Sequence, residues 1–284
     1  MKKAAQKIWL ARPEMMGNEM EYVRDSFESG WITTAFKEDS YIGRFEQSVA
    51  EFLRYGHPVA VQSGTAALHL ALRLCGVGKG DVVFCSDLTF TATANPIRYL
   101  GAEPIFIDSE PVSNNMDPDS LEMAFESGVM PKAVVVVHVY GMPADMERIM
   151  EICNRFGVPV IEDSAESLGS AVYGKKTGTF GRFGCMSFNG NKMITAGGTG
   201  GMLICQNKED AERASFLALF RGMSIKKLDI TIGWQIQTQH LALGRWNILK
   251  NEYRRKWISI GDTRKNSINM QNGSNCTELF GMEE

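Results

Sequence analysis

The chain has 284 residues, of which 44% are hydrophobic and 22% charged. This ordinary globular composition excludes a disordered, collagen-like or coiled-coil protein. The formal net charge of −3 gives no reason to expect a nucleic acid or an anionic membrane as a partner. At ~150 residues per domain, the length predicts two domains or one large α/β domain.

The cysteines and the N-terminus define the expected compartment. No two of the six cysteines stand at Cys-x-x-Cys spacing, so we predict reduced thiols, with neither a metal site nor a disulfide framework. Met1–Lys3 is basic but lacks the apolar run of ~7–15 residues that a signal peptide needs. The apolar run 133–137 is far shorter than the ~18 residues of a membrane span. We therefore expect a cytoplasmic protein.

Helical and strand-like segments alternate along the first 163 residues. Apolar spacing predicts a helix over 41–53, and a small-residue turn at 62–65 joins the next strand to an apolar helix. The predicted strands are 58–61, 81–85, 104–108, 132–137 and 158–163, and further helices are predicted at 91–100 and 145–156. Pro96 is an objection to the regularity of the first of these helices. Four consecutive valines from Val134 predict a strand that is buried on both faces. The alternation predicts an α/β fold with a mostly parallel sheet.

The composition changes after about residue 219. Lysine, arginine, glutamine and asparagine become frequent, and valine is absent from residues 220–284. We therefore predict a large domain over 1–219 and an atypical tail over 220–284 that is disordered or out of frame, rather than a second domain.

Two polar turns follow predicted strands. Ser63-Gly64-Thr65 opens a helix, where backbone N–H groups and the helix dipole favour an anion such as phosphate; a plain helix N-cap is the alternative. Asp163 ends an apolar strand after Glu162, where a carboxylate could keep a ring nitrogen protonated. An ordinary strand-end acid is the alternative there. Ligands collect beyond the carboxyl ends of strands in such sheets.

Two further side chains have a chemical and a structural interpretation. Lys192 follows Ser187 in a small-residue loop and precedes several glycines, so it could be a desolvated nucleophile or an ordinary surface lysine. Phe90 could stack on a flat ring or belong to the core. A phosphate turn, an aromatic residue, an aspartate and a lysine in this chain order are what pyridoxal phosphate (PLP) needs on an aminotransferase scaffold.

Five separated stretches resemble the DegT/DnrJ family of PLP-dependent sugar aminotransferases, and within it the bacterial exopolysaccharide branch. They are residues 63–72, 89–96, 139–146, 161–169 and 187–192. The resemblance runs from about residue 8 to about residue 217. It implies an aspartate-aminotransferase-like large domain of PLP fold type I, with a mostly parallel sheet flanked by helices.

The resemblance also implies roles for single residues. Lys192 would be the Schiff-base lysine and proton shuttle, and Asp163 would pair with the pyridine nitrogen. Glu166 would lie beside the ring hydroxyl and Phe90 on the ring face. The phosphate would be held by Gly64, Thr65 and Ser187. A related dehydrating enzyme has histidine in place of the lysine, so Lys192 favours transamination.

The implied reaction moves an amino group from glutamate to a nucleotide-linked keto-sugar, predicted to be a UDP-linked 4-keto-6-deoxy hexose for exopolysaccharide synthesis. A homodimer is implied as well. Family members are longer, with a small C-terminal domain that we expect to be missing or degenerate here. In a shifted reading frame, Gln235–Gln239 can read as a segment that the family carries, so we hypothesise a frameshift after about residue 219. A catalytically impaired PLP-binding remnant and a non-catalytic partner protein are the alternatives.

Overall fold

Nine β-strands lie within the computed structural model, which describes residues 17–30 and 40–220, without the side chains of residues 219 and 220. In chain order they are β1 (His57–Val61), β2 (Val82–Ser86), β3 (Glu103–Ile107), β4 (Ala133–Val137), β5 (Val160–Asp163), β6 (Ala171–Val172), β7 (Lys175–Lys176), β8 (Phe183–Ser187) and β9 (Gly201–Cys205). Seven of them form one sheet in the order β3-β2-β4-β5-β8-β9-β1, while β6 and β7 form a separate hairpin.

The central sheet is mostly parallel. Strand β9 pairs antiparallel with both of its neighbours, and the other described pairs of this sheet are parallel. The carboxyl ends of β1, β2, β4, β5 and β8 therefore lie at one edge of the sheet, where α/β proteins bind their ligands. The predicted α/β class with a mostly parallel sheet is confirmed.

Seven α-helices accompany the sheet in the described part of the chain. They are α1 (Glu19–Ser29), α2 (Tyr41–Leu53), α3 (Gly64–Leu74), α4 (Thr91–Tyr99), α5 (Pro118–Glu126), α6 (Met146–Phe156) and α7 (Lys208–Phe220). A short 3₁₀ turn spans Val139–Gly141. Helices α3, α4 and α7 share a hydrophobic cluster with one face of the sheet. Helices α2, α5 and α6 pack on the opposite face, so both faces are covered.

Strand β4 shows how the sequence places the core. All five of its residues are buried, as the uninterrupted valines predict. Val135 joins the cluster beneath α3, while Val134 and Val136 join the cluster beneath α5 and α6. Successive side chains of a strand point to opposite faces, and helices cover both faces here.

Several elements differ from the sequence predictions or were absent from them. Pro96 is buried inside α4 and does not interrupt it, although it removes one backbone donor from that helix. Strands β8 and β9 lie within or next to the glycine-rich stretch, where hydrophobic periodicity is weak. Helix α5 was not predicted, yet Asp117 caps it and Pro118 occupies its first turn, which is a recognisable start signal.

The five cysteines of the described residues are free thiols. Burial raises the pKa of Cys85 to about 12, so its thiol stays neutral. Within residues 17–30 and 40–220, no helix is long and apolar enough to cross a bilayer. In the same ranges, no three His, Cys, Asp or Glu side chains cluster as potential metal ligands. Cys276 and the frameshift hypothesis at Gln235–Gln239 lie outside the described residues.

Candidate active site

A cavity of about 590 Å³ opens at the carboxyl edge of the sheet. Its volume lies in the range of small-molecule sites, ~300–1,000 Å³. The fold brings together here all seven residues that the sequence singles out, although they come from separate elements. These residues are Gly64, Thr65, Phe90, Asp163, Glu166, Ser187 and Lys192.

The turn before α3 combines a helix cap with the backbone N–H groups of the first helical turn. The Ser63 hydroxyl oxygen accepts a hydrogen bond from the Ala66 N–H at 3.1 Å, so Ser63 is the N-cap residue. The N–H groups of Gly64 and Thr65 belong to the first helical turn, which has no acceptors inside the helix. The helix cap is therefore compatible with a predicted anion site, because different groups of the same turn would serve each.

Gly64 allows the end of β8 to approach this turn. A Cβ atom at Gly64 would lie 3.0 Å from the Cβ atom of Ser187. Ser187 ends β8 and lines the cavity beside the helix N-terminus. A glycine is needed here because a side chain would push the hydroxyl of Ser187 away from the turn.

Thr199 adds an unsatisfied hydroxyl to the same wall of the cavity. Its Oγ1 atom is buried and has no hydrogen-bond partner within the part of the chain that the structure describes. The following residue, Gly200, forms a bridge with Ser63. A buried hydroxyl without a partner costs free energy, so this wall offers a donor to a polar ligand.

Asp163 is a buried carboxylate, with 6% of its surface exposed. Its Oδ2 atom accepts a hydrogen bond from Thr93 Oγ1 at 2.6 Å, and its Oδ1 atom accepts one from the Ala165 N–H at 3.1 Å. Burial raises the pKa of Asp163, whereas these two hydrogen bonds and the charges of Lys192 and His138 lower it. The carboxylate lines the cavity and is not a solvated strand-end acid.

Glu162, the neighbour of Asp163, points away from the cavity and holds a loop. It is fully buried and accepts hydrogen bonds from the backbone N–H groups of Gly178, Phe180 and Gly181 at 2.6–2.8 Å. His138 Nε2 lies 3.1 Å from its Oε2. Because strand residues alternate between faces, the two adjacent acids have different surroundings.

Lys192 reaches the cavity from the loop after β8. Its side chain is 18% exposed, and its Nζ lies 3.2 Å from Glu166 Oε1. The other oxygen of Glu166 accepts a hydrogen bond from the Tyr140 N–H at 3.3 Å. The alternative of a solvated surface lysine is wrong, because most of the chain of Lys192 is covered and its amine is paired inside the cavity.

Phe90 stands at the cavity mouth, and the core alternative for it is wrong. Its side chain is 78% exposed, and it occupies the N-cap position of α4. Tyr140, also on the cavity lining, is 81% exposed and adopts a left-handed backbone conformation with φ 49°. Two exposed aromatic residues thus flank the opening.

Sequence reasoning missed several residues that support the site. Among them are Thr93, His138, Tyr140 and Thr199. Thr93 lies three residues after Phe90, a spacing that places both on neighbouring positions of one helical turn. His138 directly follows the valine strand β4, but no local pattern indicates that it meets Glu162.

Comparison with known proteins identifies the family. Residues 13–237 match the model of the DegT/DnrJ/EryC1/StrS aminotransferase family. The chain belongs to this family. Its predicted membership is thereby confirmed, and so is the expected fold: the solved aminotransferase TlmJ of Streptoalloteichus hindustanus matches with a TM-score of 0.76 and 32% identity over 86% of this chain and 67% of that chain.

Curated members of the family match over a part of their length. The putative pyridoxal phosphate-dependent aminotransferase EpsN of Bacillus subtilis is 51% identical over 216 residues, which cover 75% of this chain and 55% of that protein. The GDP-perosamine synthase of Caulobacter vibrioides is 38% identical over 219 residues, covering 77% of this chain and 57% of that enzyme. The chain thus spans about half the length of the curated relatives it matches.

Proposed function

We propose that this chain binds PLP and acts as a sugar aminotransferase that moves an amino group from glutamate to the ketone of a nucleotide-linked sugar. One observation carries the proposal. The amine of Lys192, the buried carboxylate of Asp163 and the N-terminus of α3 face the same cavity. Those are a nucleophile, a partner for a protonated ring nitrogen and an anion site, in one place.

The cavity residues fit the shape and charge of PLP. The N–H groups of Gly64 and Thr65 and the hydroxyl of Ser187 would hold the phosphate, and the unsatisfied hydroxyl of Thr199 would add a donor. Asp163 would accept a hydrogen bond from the protonated pyridine nitrogen. Phe90, exposed at the mouth, would cover one face of the ring.

Lys192 would be the residue of this chain that takes part directly in the reaction. PLP supplies an aldehyde carbon that accepts amines and a protonated ring that withdraws electrons. Lys192 Nζ would attach to the cofactor at rest and then move the proton at the substrate carbon that loses or gains the amine. Glu166 Oε1, 3.2 Å from Nζ, accepts a hydrogen bond that keeps the amine inside the cavity. Glu166 would also lie beside the ring hydroxyl.

The sugar substrate is proposed to be a UDP-linked 4-keto-6-deoxy hexose used for exopolysaccharide. EpsN is named as an aminotransferase, and several relatives at 38–41% identity are named GDP-perosamine synthases. A GDP-linked keto-sugar is therefore the second substrate class to test.

A second copy of the chain is the proposed partner. Apolar side chains that line the cavity are exposed, namely Leu88, Phe90 and Tyr140. An exposed apolar rim is typical of a surface that another chain covers. Association as a homodimer would close the cavity on its open side.

Reductive trapping tests the proposed cofactor. The full chain is incubated with PLP, reduced with borohydride, digested and analysed by mass spectrometry. We expect the cofactor on Lys192, and we expect Lys192→Ala to bind PLP weakly and to retain none covalently. Lys175→Ala is the matched control and should label like the unchanged protein. Cofactor fixed on Lys175, Lys176 or no lysine would refute the assignment.

Turnover separates an active enzyme from its alternatives. The PLP-loaded protein is incubated with glutamate and a panel of UDP- and GDP-linked keto-sugars, and formation of the amino sugar is followed. An active aminotransferase converts at least one of them. A remnant labels at Lys192 without converting any sugar, and a non-catalytic partner protein does neither.

A further inference from the structure

Two threonines beside the cavity form a chain of hydrogen bonds that ends on Asp163. Thr89 Oγ1 lies 2.6 Å from Thr93 Oγ1, which lies 2.6 Å from Asp163 Oδ2. Thr93 is 1% exposed, so water does not compete for its hydroxyl. Residues 93 and 163 are 70 positions apart, and this hydrogen bond joins the first turn of α4 to the last residue of β5.

The direction of the hydrogen bonds follows from counting protons. An ionised carboxylate can only accept, and a threonine hydroxyl has a single proton to donate. Thr93 must therefore donate to Asp163, which leaves Thr93 as the acceptor of the proton from Thr89. The carbonyl oxygen of Phe90 also lies 3.3 Å from Thr89 Oγ1, a longer contact. The chain of hydrogen bonds therefore runs from Thr89 through Thr93 to Asp163.

We propose that Thr89 and Thr93 are positioning residues that keep Asp163 ionised and oriented toward the pyridine nitrogen of the cofactor. This inference rests on the proposed function, because it assigns the threonines a role toward PLP. Hydrogen bonds to a buried ion stabilise its charged form and are stronger in a low-dielectric environment. The Thr93 hydroxyl is the largest influence that lowers the pKa of Asp163.

The same helical turn also presents Phe90. Thr89 and Thr93 flank Phe90 at the start of α4, and Thr89, Phe90 and Asp163 all line the cavity. The turn that would cover the ring face is thereby tied to the carboxylate that would hold the ring nitrogen. A displacement of this turn would change both contacts together.

The test uses the full chain loaded with PLP that carries ¹⁵N in its ring. The ¹⁵N chemical shift reports whether the ring nitrogen is protonated, and equilibrium dialysis gives the affinity for PLP. We expect Thr93→Val, which keeps the volume and removes the hydroxyl, to move the shift toward the unprotonated value and to weaken binding about tenfold or more. Thr93→Ser should restore both. Thr91→Val, an exposed position of the same turn, is the matched control and should resemble the unchanged protein.

Each outcome decides the proposal. An unchanged ¹⁵N shift in Thr93→Val, or an equal displacement in Thr93→Ser, overturns the role of the hydroxyl. If Thr93→Val does not fold, Thr89→Val is the deciding variant. A partial change in its ¹⁵N shift supports the proposed chain of hydrogen bonds, and an unchanged shift overturns it. If the unchanged protein binds no PLP, the proposed function fails and this inference fails with it. Binding with a protonated nitrogen in both proteins refutes the threonine role alone.

Discussion

At the scale of single residues, the two adjacent acids of β5 show how position alone separates their roles. Asp163 faces the cavity, where Thr93 and Ala165 donate hydrogen bonds to it. Glu162 faces the other side, where three backbone N–H groups and His138 surround it. Asp163 can therefore accept a further hydrogen bond from a ligand in the cavity, whereas groups of the protein itself surround the carboxylate of Glu162.

The substitution Asp163→Asn tests the cavity-facing acid. The amide is nearly isosteric, so we expect the fold to remain and PLP still to bind, although more weakly, but an amide carries no charge to stabilise a protonated ring nitrogen. Loss of a single preorganised electrostatic group costs about 3 kcal/mol in the transition state, or roughly a hundredfold in kcat. Steady-state kinetics with glutamate and the accepted sugar measure this. Asp119→Asn, exposed on α5, is the control. Near-normal turnover of Asp163→Asn would show that Asp163 is only an ordinary acid at the end of a strand.

The substitution Glu162→Gln tests the satisfied acid. His138 Nδ1 accepts from the Ala144 N–H, so its Nε2 carries the proton that is donated to Glu162. A glutamine would turn an NH₂ group toward some of these donors, and we expect a loss of about 3 kcal/mol or more in the free energy of unfolding. Urea denaturation measures it. Glu122→Gln, a surface partner of Arg155, should change stability by less than about 1 kcal/mol. Equal losses in both variants would contradict the assigned role.

At the scale of elements, α2 is held on the sheet by an acid as well as by its apolar face. Phe45, Val49 and Leu53 are buried as the helical spacing predicts. Between them, Glu46 Oε1 accepts a hydrogen bond from the Ala60 N–H of β1 at 2.8 Å. Burial raises the pKa of Glu46 to about 7, so this carboxyl group stays protonated to a higher pH in the folded protein than in the unfolded chain.

The raised pKa of Glu46 predicts a pH-dependent stability. Its stabilising contribution is complete below the unfolded pKa of about 4.5 and is lost as the pH rises through the folded value of about 7. Glu46→Gln keeps an oxygen that can accept the hydrogen bond of the Ala60 N–H but has no carboxyl group to titrate. The stability of the variant relative to the unchanged protein should therefore rise as the pH increases from about 4.5 to about 7. Urea unfolding at a series of pH values measures the difference. Glu51→Gln, an exposed acid of the same helix, should give a profile parallel to the unchanged protein. The same parallel profile in Glu46→Gln would contradict the prediction.

At the scale of the whole molecule, the sheet and its two helical layers form a body with its own core. Strands β4, β5 and β8 lie at the centre of the sheet, and their apolar side chains are buried on both faces. The cavity lies at the edge of this body and draws its predicted residues from four separate segments. The described residues therefore bring together all seven predicted residues of the proposed cofactor site.

Limited proteolysis tests the predicted domain boundary. We expect cleavage to begin beyond residue 219 and to leave a resistant core, because residues 220–284 show little helical or strand periodicity in their apolar positions. Such a segment does not offset an ordering cost of roughly 1–2 kcal/mol per residue. Mass spectrometry of the fragments locates the cuts. A resistant tail in a fully active protein would show instead that these residues form a second domain.

The sequence by itself determined the class of the fold, most of its strands and a set of candidate residues that the fold brings to one cavity. Unbroken apolar runs mark strands that are covered on both faces, and the order of turn, aromatic residue, aspartate and lysine is visible without coordinates. These signals are local, since each depends on residues within one or two turns of the chain. Strands β8 and β9 escaped prediction because glycines and short apolar runs give no clear periodicity.

Only the tertiary structure decided which of two interpretations holds at each position and which residues are partners. Phe90 is exposed and Lys192 is covered, the reverse of what their residue types favour. The contacts of Thr93 with Asp163 and of His138 with Glu162 join residues 70 and 24 positions apart. The register of β4 against β5 and the packing of α4 set these distances, and no local pattern in the sequence encodes them.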